Sequence, residues 1–281
     1  MKRMLVIHFY VVMLALIFGQ ALHATETNEP GTNTATDTQE VAKQLQNPVA
    51  SLISVPFQNN FEYGLGPDNK GSRYTLRFQP VIPTSINDDW NLIFRPIIPI
   101  ISQHNAIGHT SQTGLSDIQL ELFFSPKAPS SCGIIWGIGP VLLLPTATDN
   151  LLGYQKWAIG PSAVALTQRG PWTMGMLANH LISYAGNSDR KNISATYMQP
   201  FIAHSGKKGF SFSFSSETNY DWKVASWSVP FIGGISQIIP VHGQLISAGV
   251  SGIYYAKSPF GGPSWGIRAV ITLLFPEKRR A

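Results

Sequence analysis

A histidine and a serine lie three residues apart in the stretch NHLIS, where His180 could act as a base for Ser183. A nucleophilic serine needs such a base within hydrogen-bond reach. On a β-strand, however, residues an odd number apart point to opposite faces of the sheet. The chain also contains no G-x-S-x-G, H-E-x-x-H or phosphate-binding glycine motif. We therefore expect no enzyme activity, and a lipid-modifying enzyme is only a distant alternative.

Groups of residues that could bind a metal are also scarce. His104 and His109 share the stretch QHNAIGH, but no carboxylate or cysteine stands beside them to complete a zinc site. Asp149 in TATDN is a single acid, which falls short of a calcium-binding loop. The sequence predicts no metal ion and no cofactor.

The segment GFSFSFSSETNYDWK indicates the kind of secondary structure that makes up most of this chain. Its apolar residues, Phe210, Phe212 and Phe214, alternate with Ser211 and Ser213. Successive side chains on a strand point to opposite faces, so one row needs an apolar neighbour and the other a polar one. We expect lipid against the phenylalanines and a barrel interior against the serines.

Twelve segments of this kind follow one another, each about as long as a tilted membrane strand of roughly ten residues. They predict an all-β fold: a transmembrane up-and-down antiparallel β-barrel of about 12 strands. The segments are 52–64, 72–84, 90–102, 114–125, 134–146, 157–168, 172–184, 193–204, 209–222, 226–238, 244–256 and 264–275.

The connections and the tryptophans support the same fold. Long loops alternate with short turns, as in outer-membrane barrels, and all seven tryptophans fall at segment ends, where indole rings settle at the two bilayer interfaces. Prolines within the segments, such as Pro80, Pro140 and Pro230, should cause bulges or missing ladder bonds. The predicted aromatic girdle consists of Trp90, Trp136, Trp157, Trp172, Trp222, Trp227 and Trp265.

Alternation also assigns the charged side chains of these strands to the interior. An arginine such as Arg77 or Arg95 could contact an anionic or polar group of a solute. Alternatively, the arginines only neutralise acids in a narrow, filled lumen. The opposite side of the lumen should carry small or apolar side chains, and we call it the smooth wall. Its inward-facing residues are Gly137, Gly139, Val141, Gly160, Ser162, Gly175 and Leu177. The predicted interior charges are Glu62, Arg73, Arg77, Arg95, Asp117, Glu121, Glu217, Asp221 and Arg268.

The chain ends divide into further regions. Lys2 and Arg3, an apolar run and small residues at Ala21 and Ala24 predict a cleaved signal peptide over 1–24. Residues 25–48 should form a disordered leader, polar over 25–39, and then a short amphipathic periplasmic helix in EVAKQLQ. The barrel is expected over 49–276, with a basic periplasmic tail over 277–281.

Composition limits the partners and the compartment. Removing Lys2 and Arg3 leaves 18 basic residues (20 − 2) against 15 acidic ones, too small an excess for a nucleic-acid partner. Export with the single cysteine Cys132 favours a barrel over a disulfide-rich secreted domain. We therefore place the protein in the outer membrane of a Gram-negative bacterium, with membrane lipid and the barrel-assembly machinery as partners.

Several stretches resemble a known family. They are LQNPVASLISVPFQNNFEYGLGP, GPVLLLPTATDNLLG, KWAIGPSAVAL, QPFI, SETNYDW and GGPSWGIRAVITLLFP, in order over residues 41–276. Together they are similar to the phenol meta-pathway outer-membrane proteins, members of which are called transporters or, misleadingly, neuromedin U. The resemblance implies an outer-membrane barrel that takes up small, often aromatic or amphipathic, compounds. It implies no particular functional residues.

Two kinds of function therefore follow from the sequence. The first is a channel or transporter for a small solute that the sequence does not name. The second is a structural or interaction barrel with a filled lumen. The charged wall and the helix are the features that should decide between them.

Overall fold

The computed structural model describes residues 34–276, which form one helix and fifteen strand segments. The predicted signal peptide, the leader up to residue 33 and the tail over 277–281 lie outside the described residues. The elements are α1 (Thr34–Leu45), β1 (Ile53–Leu65), β2 (Gly71–Phe78), β3 (Ile82–Ser85), β4 (Trp90–His104), β5 (Ser111–Leu115), β6 (Ile118–Pro126), β7 (Ile134–Leu144), β8 (Lys156–Arg169), β9 (Trp172–Gly186), β10 (Ser194–Ser205), β11 (Phe210–Ser216), β12 (Thr218–Asp221), β13 (Ser226–Val241), β14 (Gln244–Lys257) and β15 (Trp265–Phe275).

These segments build a closed, antiparallel barrel. Each wall strand pairs with the next one along the chain, and β1 closes the barrel by pairing with β15 from Ile53 opposite Phe275 to Tyr63 opposite Trp265. Three wall strands are each divided into two segments, namely β2 with β3, β5 with β6 and β11 with β12. Fifteen segments therefore make twelve wall strands, and the predicted twelve-stranded barrel is confirmed.

Prolines explain two of the three divisions. The register on either side of the β2–β3 break places Pro80 opposite Pro96 of β4. The β11–β12 break at Glu217 lies beside Pro230 of β13, where the ladder to β14 also shifts register. Proline has no N–H to donate to a ladder. At these two breaks, strand prolines coincide with missing ladder bonds, as the sequence suggests, whereas Pro56 and Pro83 stand within continuous ladders.

A further pair of prolines lies in continuous strands. Pro140 of β7 stands directly opposite Pro161 of β8. The ladder of β7 to β6 is missing beside Pro140, and the ladder of β8 to β9 is missing beside Pro161. Each proline follows a glycine, Gly139 or Gly160, at which an added Cβ would clash with a carbonyl oxygen of the neighbouring strand. The Gly-Pro pairs therefore allow close approach where the ladder has no donor.

The outer face of the barrel is apolar. Phe212 and Phe214 are more than half exposed on it, whereas Ser211, next to Phe212, is buried toward the lumen. Large apolar side chains are exposed in the same way around the wall. They include Ile100, Phe124, Ile138, Ile159, Ile182, Phe231 and Ile267.

The tryptophans lie at the two ends of the strands. Trp90 and Trp136 make an edge-on contact at the end that carries α1, with ring centroids 5.8 Å apart. At the opposite end Trp265 stacks on Tyr63 at 4.7 Å, and the Trp222 indole donates to Thr196 Oγ1 at 2.9 Å. Trp172 lies at the α1 end, and Trp157 and Trp227 lie at the opposite end.

The helix α1 lies at one end of the barrel, against its inner wall. The chain from Val41 to Leu52 packs against Ile238 and Leu274 on one side of the barrel. The helix begins at Thr34, so the prediction that residues 34–39 are disordered is wrong. Gln39 Nε2 donates to the Ser205 carbonyl oxygen at 2.8 Å, and this anchor to β10 supports a first turn whose own propensity is weak.

In the described residues, no helix has the length and apolar content needed to cross a membrane.

Candidate functional site in the lumen

The break between β11 and β12 places Glu217 in the lumen between two arginines. Arg268 of β15 binds both carboxylate oxygens, with Nη1 to Oε1 at 2.6 Å and Nη2 to Oε2 at 3.1 Å. Arg77 of β2 reaches Oε2 with Nη1 at 3.2 Å. The Nε of Arg268 also donates to Asn60 Oδ1 at 2.7 Å. We call Asn60, Arg77, Glu217 and Arg268 the charged layer.

The charged layer has one positive charge in excess, because two guanidinium groups share one carboxylate. Its members differ in exposure: the side chain of Arg77 is 35% exposed, against 14% for Glu217 and 10% for Arg268. Bidentate pairing fixes Arg268 to Glu217. Arg77 is therefore the arginine of this layer that is available to a solute.

A second ion pair joins β4 to β6. Arg95 Nη1 donates to Glu121 Oε2 at 2.7 Å, and the two residues stand opposite each other in the ladder. The other carboxylate oxygen accepts from Asn179 Nδ2 at 2.8 Å and from Gln119 Nε2 at 3.3 Å. The Glu121 side chain is only 1% exposed. This carboxylate is a buried, fully bonded part of the wall.

The remaining predicted charges of β1 and β2 bind neutral partners. Glu62 accepts a hydrogen bond from the Tyr255 hydroxyl. Arg73 Nε donates to Gln103 Oε1 at 2.9 Å, and Gln103 Nε2 donates in turn to Gln112 Oε1 at 2.8 Å. This polar network lies between the charged layer and the long-loop end, and it gives that side of the lumen a continuous hydrogen-bonding surface.

Asp117 and Asp221 belong to the loop end rather than to the charged layer. Asp117 accepts from the backbone N–H groups of Ala147 at 3.2 Å and Tyr154 at 2.6 Å, so it anchors the loop over 145–155. Asp221 accepts from the Lys223 N–H at 2.8 Å and shapes the turn between β12 and β13. Neither forms an ion pair within the described residues.

Two cavities lie on opposite sides of the charged layer. The loop-side cavity has a volume of about 440 Å³ and is lined by Asn219 and Asp221, among others. The helix-side cavity has a volume of about 290 Å³ and is lined by Ser213 and Arg95, among others. On the wall strand β11–β12, Glu217 lies between Ser213 and Asn219. The charged layer therefore separates the cavities.

The helix-side cavity is bordered at its outer end by the last residues of α1 and the segment that follows it. Gln44 to Pro48 line it, and the Lys43 carbonyl oxygen accepts a bond from Gln168 Nε2 of β8 at 2.8 Å. We call residues 38–52 the plug. Val49 of the plug packs among Ile93, Phe123 and Leu177. The predicted smooth wall, at Leu177, is thus covered by the plug.

The histidines do not assemble a catalytic or metal site. His180 bonds Thr196 Oγ1 through Nδ1 at 2.8 Å, whereas Ser183 Oγ accepts from the Ile193 N–H at 2.9 Å. His104 Nδ1 lies 2.7 Å from Ser111 Oγ. Across residues 34–276, no three His, Cys, Asp or Glu side chains are grouped as metal ligands would be.

The sequence did not single out several lumen residues that the structure brings together. Asn60, Gln199 and Tyr255 share the inward face of their strands with the predicted charges, so alternation alone could have added them. The plug residues carry no such signal, because Val49 lies outside any periodic segment. Its burial depends on four strands that are distant in the chain.

Comparison with known proteins agrees with this architecture. No family model and no curated protein matches the sequence. Among solved structures, the chain is similar to the COG4313 outer membrane channel from Pseudomonas putida F1, with a TM-score of 0.61 and 12% identity over 80% of this chain and 94% of that one. The NanC porin matches with a TM-score of 0.48 and 10% identity over 79% of this chain and 100% of that one. At such identities, the first likeness supports the fold.

Proposed function

We propose that this protein is an outer-membrane channel that admits small anionic solutes through a plugged lumen. The observation that carries the proposal is the charged layer, in which Arg77 is one-third exposed between two cavities and two arginines share one acid. Rings of charged side chains select ions at close range. A net positive layer favours anions over cations.

The outer face and the fold support the membrane location. A closed barrel has no unpaired strand edge, and an apolar outer face with tryptophans at both strand ends suits a bilayer. The similar structure from Pseudomonas putida F1 is described as an outer membrane channel. The family resemblance implies aromatic or amphipathic solutes.

A structural barrel with a filled lumen is the second candidate. Two observations favour it: the plug occupies one end of the lumen, and Glu121 and Glu217 are both neutralised by arginines. In that case the purified barrel would fold normally but conduct no ions.

Reversal potentials across a salt gradient, measured with purified protein in planar bilayers, test the proposal. The wild-type protein should prefer chloride to potassium. Arg77→Gln should lower this preference, because the remaining Arg268–Glu217 pair is neutral. The variant should still fold, because Glu217 keeps both bonds to Arg268, and the loss of a partly exposed pair costs about 1 kcal/mol or less.

Arg169→Gln is the matched control, since Arg169 is exposed at the end of β8. It should leave the ion preference unchanged. Heat-modifiable migration on gels confirms folding of each variant. A folded Arg77→Gln protein with wild-type ion preference would contradict the channel proposal, and a folded wild-type protein without conductance would support the filled barrel.

A further inference from the structure

The residues that line the helix-side cavity carry fewer charges than those of the charged layer. Arg95 is its only charged lining residue, and no carboxylate lines it within the described part of the chain. Arg95 uses Nη1 for Glu121, and its Nε and Nη2 make no bond to the described residues. These two donors are available to an anion in the cavity.

Hydroxyl and amide groups make up most of the remaining lining. The amides come from the plug and from wall residues such as Gln58, Gln79 and Gln199. The hydroxyls come from Ser54, Ser213, Ser236, Ser247, Ser251 and Thr272. Both kinds of group can donate and accept, so together they match a ligand that carries many hydroxyl groups.

Aromatic side chains are missing from this lining. No Phe, Tyr, Trp or His of the described chain is among the residues that line the cavity. A site for an aromatic ring normally offers stacking partners or an apolar slot. The apolar part of the lining is aliphatic and includes Leu45, Leu52, Val81, Ile235 and Val270. The cavity therefore offers an aromatic ring no aromatic partner on which to stack.

The size of the cavity sets a further limit. Its volume of about 290 Å³ lies at the small end of ligand pockets, which span roughly 300 to 1,000 Å³. A cavity of this volume suits one small molecule. The single guanidinium matches a single carboxylate.

From these features we infer that the helix-side cavity is a binding site for a small hydroxy-carboxylate, an acyclic or sugar-like monoacid with several hydroxyl groups. The carboxylate binds the free Nε and Nη2 of Arg95, and the hydroxyls bind the serine and glutamine groups around it. This inference rests on the proposed channel function and names its solute class. It departs from the aromatic solutes that the family resemblance implies.

Calorimetric titration of the purified, detergent-solubilised protein with three probes tests the inference. Gluconate is a hydroxylated monoacid, benzoate is an aromatic monoacid of the same charge, and glucose has hydroxyls without the charge. Gluconate should bind at least about tenfold more tightly than either of the others, because each comparison removes one of the two recognition elements.

A double variant, Ser213→Ala with Ser236→Ala, removes two cavity hydroxyls. It should raise the Kd of gluconate by about tenfold, as expected for two neutral hydrogen bonds. Ser228→Ala is the matched control, since Ser228 pairs with Asn219 on the loop side of the charged layer. That control should bind gluconate as the wild-type protein does.

The outcomes separate the two proposals. Equal or tighter binding of benzoate, or a double variant with unchanged gluconate affinity, would overturn the hydroxy-carboxylate site while leaving a chloride-selective channel in place. In the bilayer experiment, a wild-type protein without anion preference, or a folded Arg77→Gln variant with the wild-type preference, concerns the charged layer and would overturn the proposed channel. A channel that selects anions, binds gluconate and rejects benzoate satisfies both.

Discussion

Arg95 has two roles, because it forms an ion pair with Glu121 in the barrel wall and also lines the helix-side cavity. Arg95 faces the helix-side cavity, but its partner Glu121 is 1% exposed and links three strands: β4 through Arg95, its own strand β6, and β9 through Asn179. A buried carboxylate that loses its partner keeps the cost of desolvation without the compensating attraction. The two lumen arginines therefore differ in what their removal does.

Arg95→Gln should lower the free energy of unfolding by about 3 to 5 kcal/mol, because it leaves Glu121 buried and unpaired. Urea unfolding of the detergent-solubilised barrel measures this loss. The double variant Arg95→Gln with Glu121→Gln should recover most of it, since no charge then remains. A single variant as stable as the wild-type protein would mean that water reaches Glu121.

For single residues, the alternation of apolar and polar positions predicts which side chains face the lumen. It does not predict which of these side chains contact each other. Arg268 and Arg77 lie 51 and 140 residues from Glu217. The pairing of such distant residues depends on the stagger of strands around the closed barrel, which no local pattern encodes. The sequence places five acids in the interior without matching them to the arginines. Of these acids, Glu121 and Glu217 form ion pairs with arginine in the described residues.

The elements of the barrel differ in how well they follow from the sequence. All twelve wall strands correspond to a periodic segment, with ends that shift by a few residues. The breaks within three of them cannot be predicted from the period of two, because the register and the inward-facing positions are the same on both sides of a break such as that at Glu217. The start of α1 was also missed, since a tertiary contact such as the bond from Gln39 to β10 is not encoded in helix propensity.

The loop over 145–155 should depend on Asp117. Asp117→Ala leaves the N–H groups of Ala147 and Tyr154 without their acceptor, and each orphaned donor costs about 1 to 3 kcal/mol. Amide hydrogen exchange of these two residues should accelerate by at least about tenfold, while the strands stay protected. Asp149→Ala is the control, because the carboxylate of Asp149 accepts from the Leu151 N–H at the exposed loop tip and does not reach Ala147 or Tyr154. Equal acceleration in both variants would show that Asp117 is no anchor.

The helical part of the plug should be dispensable for folding but should restrict conductance. Deletion of residues 25–46 removes α1 and its bonds to Ser205 and Gln168, but it leaves Val49 and Leu52 in place. We expect a folded, heat-modifiable barrel with a larger single-channel conductance. Failure to fold would show that the helix contributes to the stability of the barrel itself.

Across the whole molecule, the two ends of the barrel should face different compartments. The loops at Asn69 and Asn187 lie at one end, and the turn at Lys208 lies at the other, with α1. A membrane-impermeant thiol reagent on intact cells should therefore label cysteines introduced at Asn69 or Asn187 and spare one at Lys208.

The exposed native Cys132 provides an internal control for this experiment, because it lies in the turn between β6 and β7 at the helix end. It should react only after the cells are broken. Labelling of Lys208→Cys with protection of Asn187→Cys would mean that the barrel is inserted the other way round.

The Gly-Pro pairs have a mechanical consequence. Ladder pairing is missing at residues 122–123 against 139–140, and again at 160–161 against 180–181, and Pro140 and Pro161 join the two gaps side by side. The hydrogen bonds between strands give a sheet its stiffness in the direction across the strands. Because these bonds are missing at neighbouring positions of β6, β7, β8 and β9, the wall should bend most easily along this line. Glu121 stands next to that line. We therefore expect lateral pressure on the barrel to bend its wall first beside the Arg95–Glu121 pair.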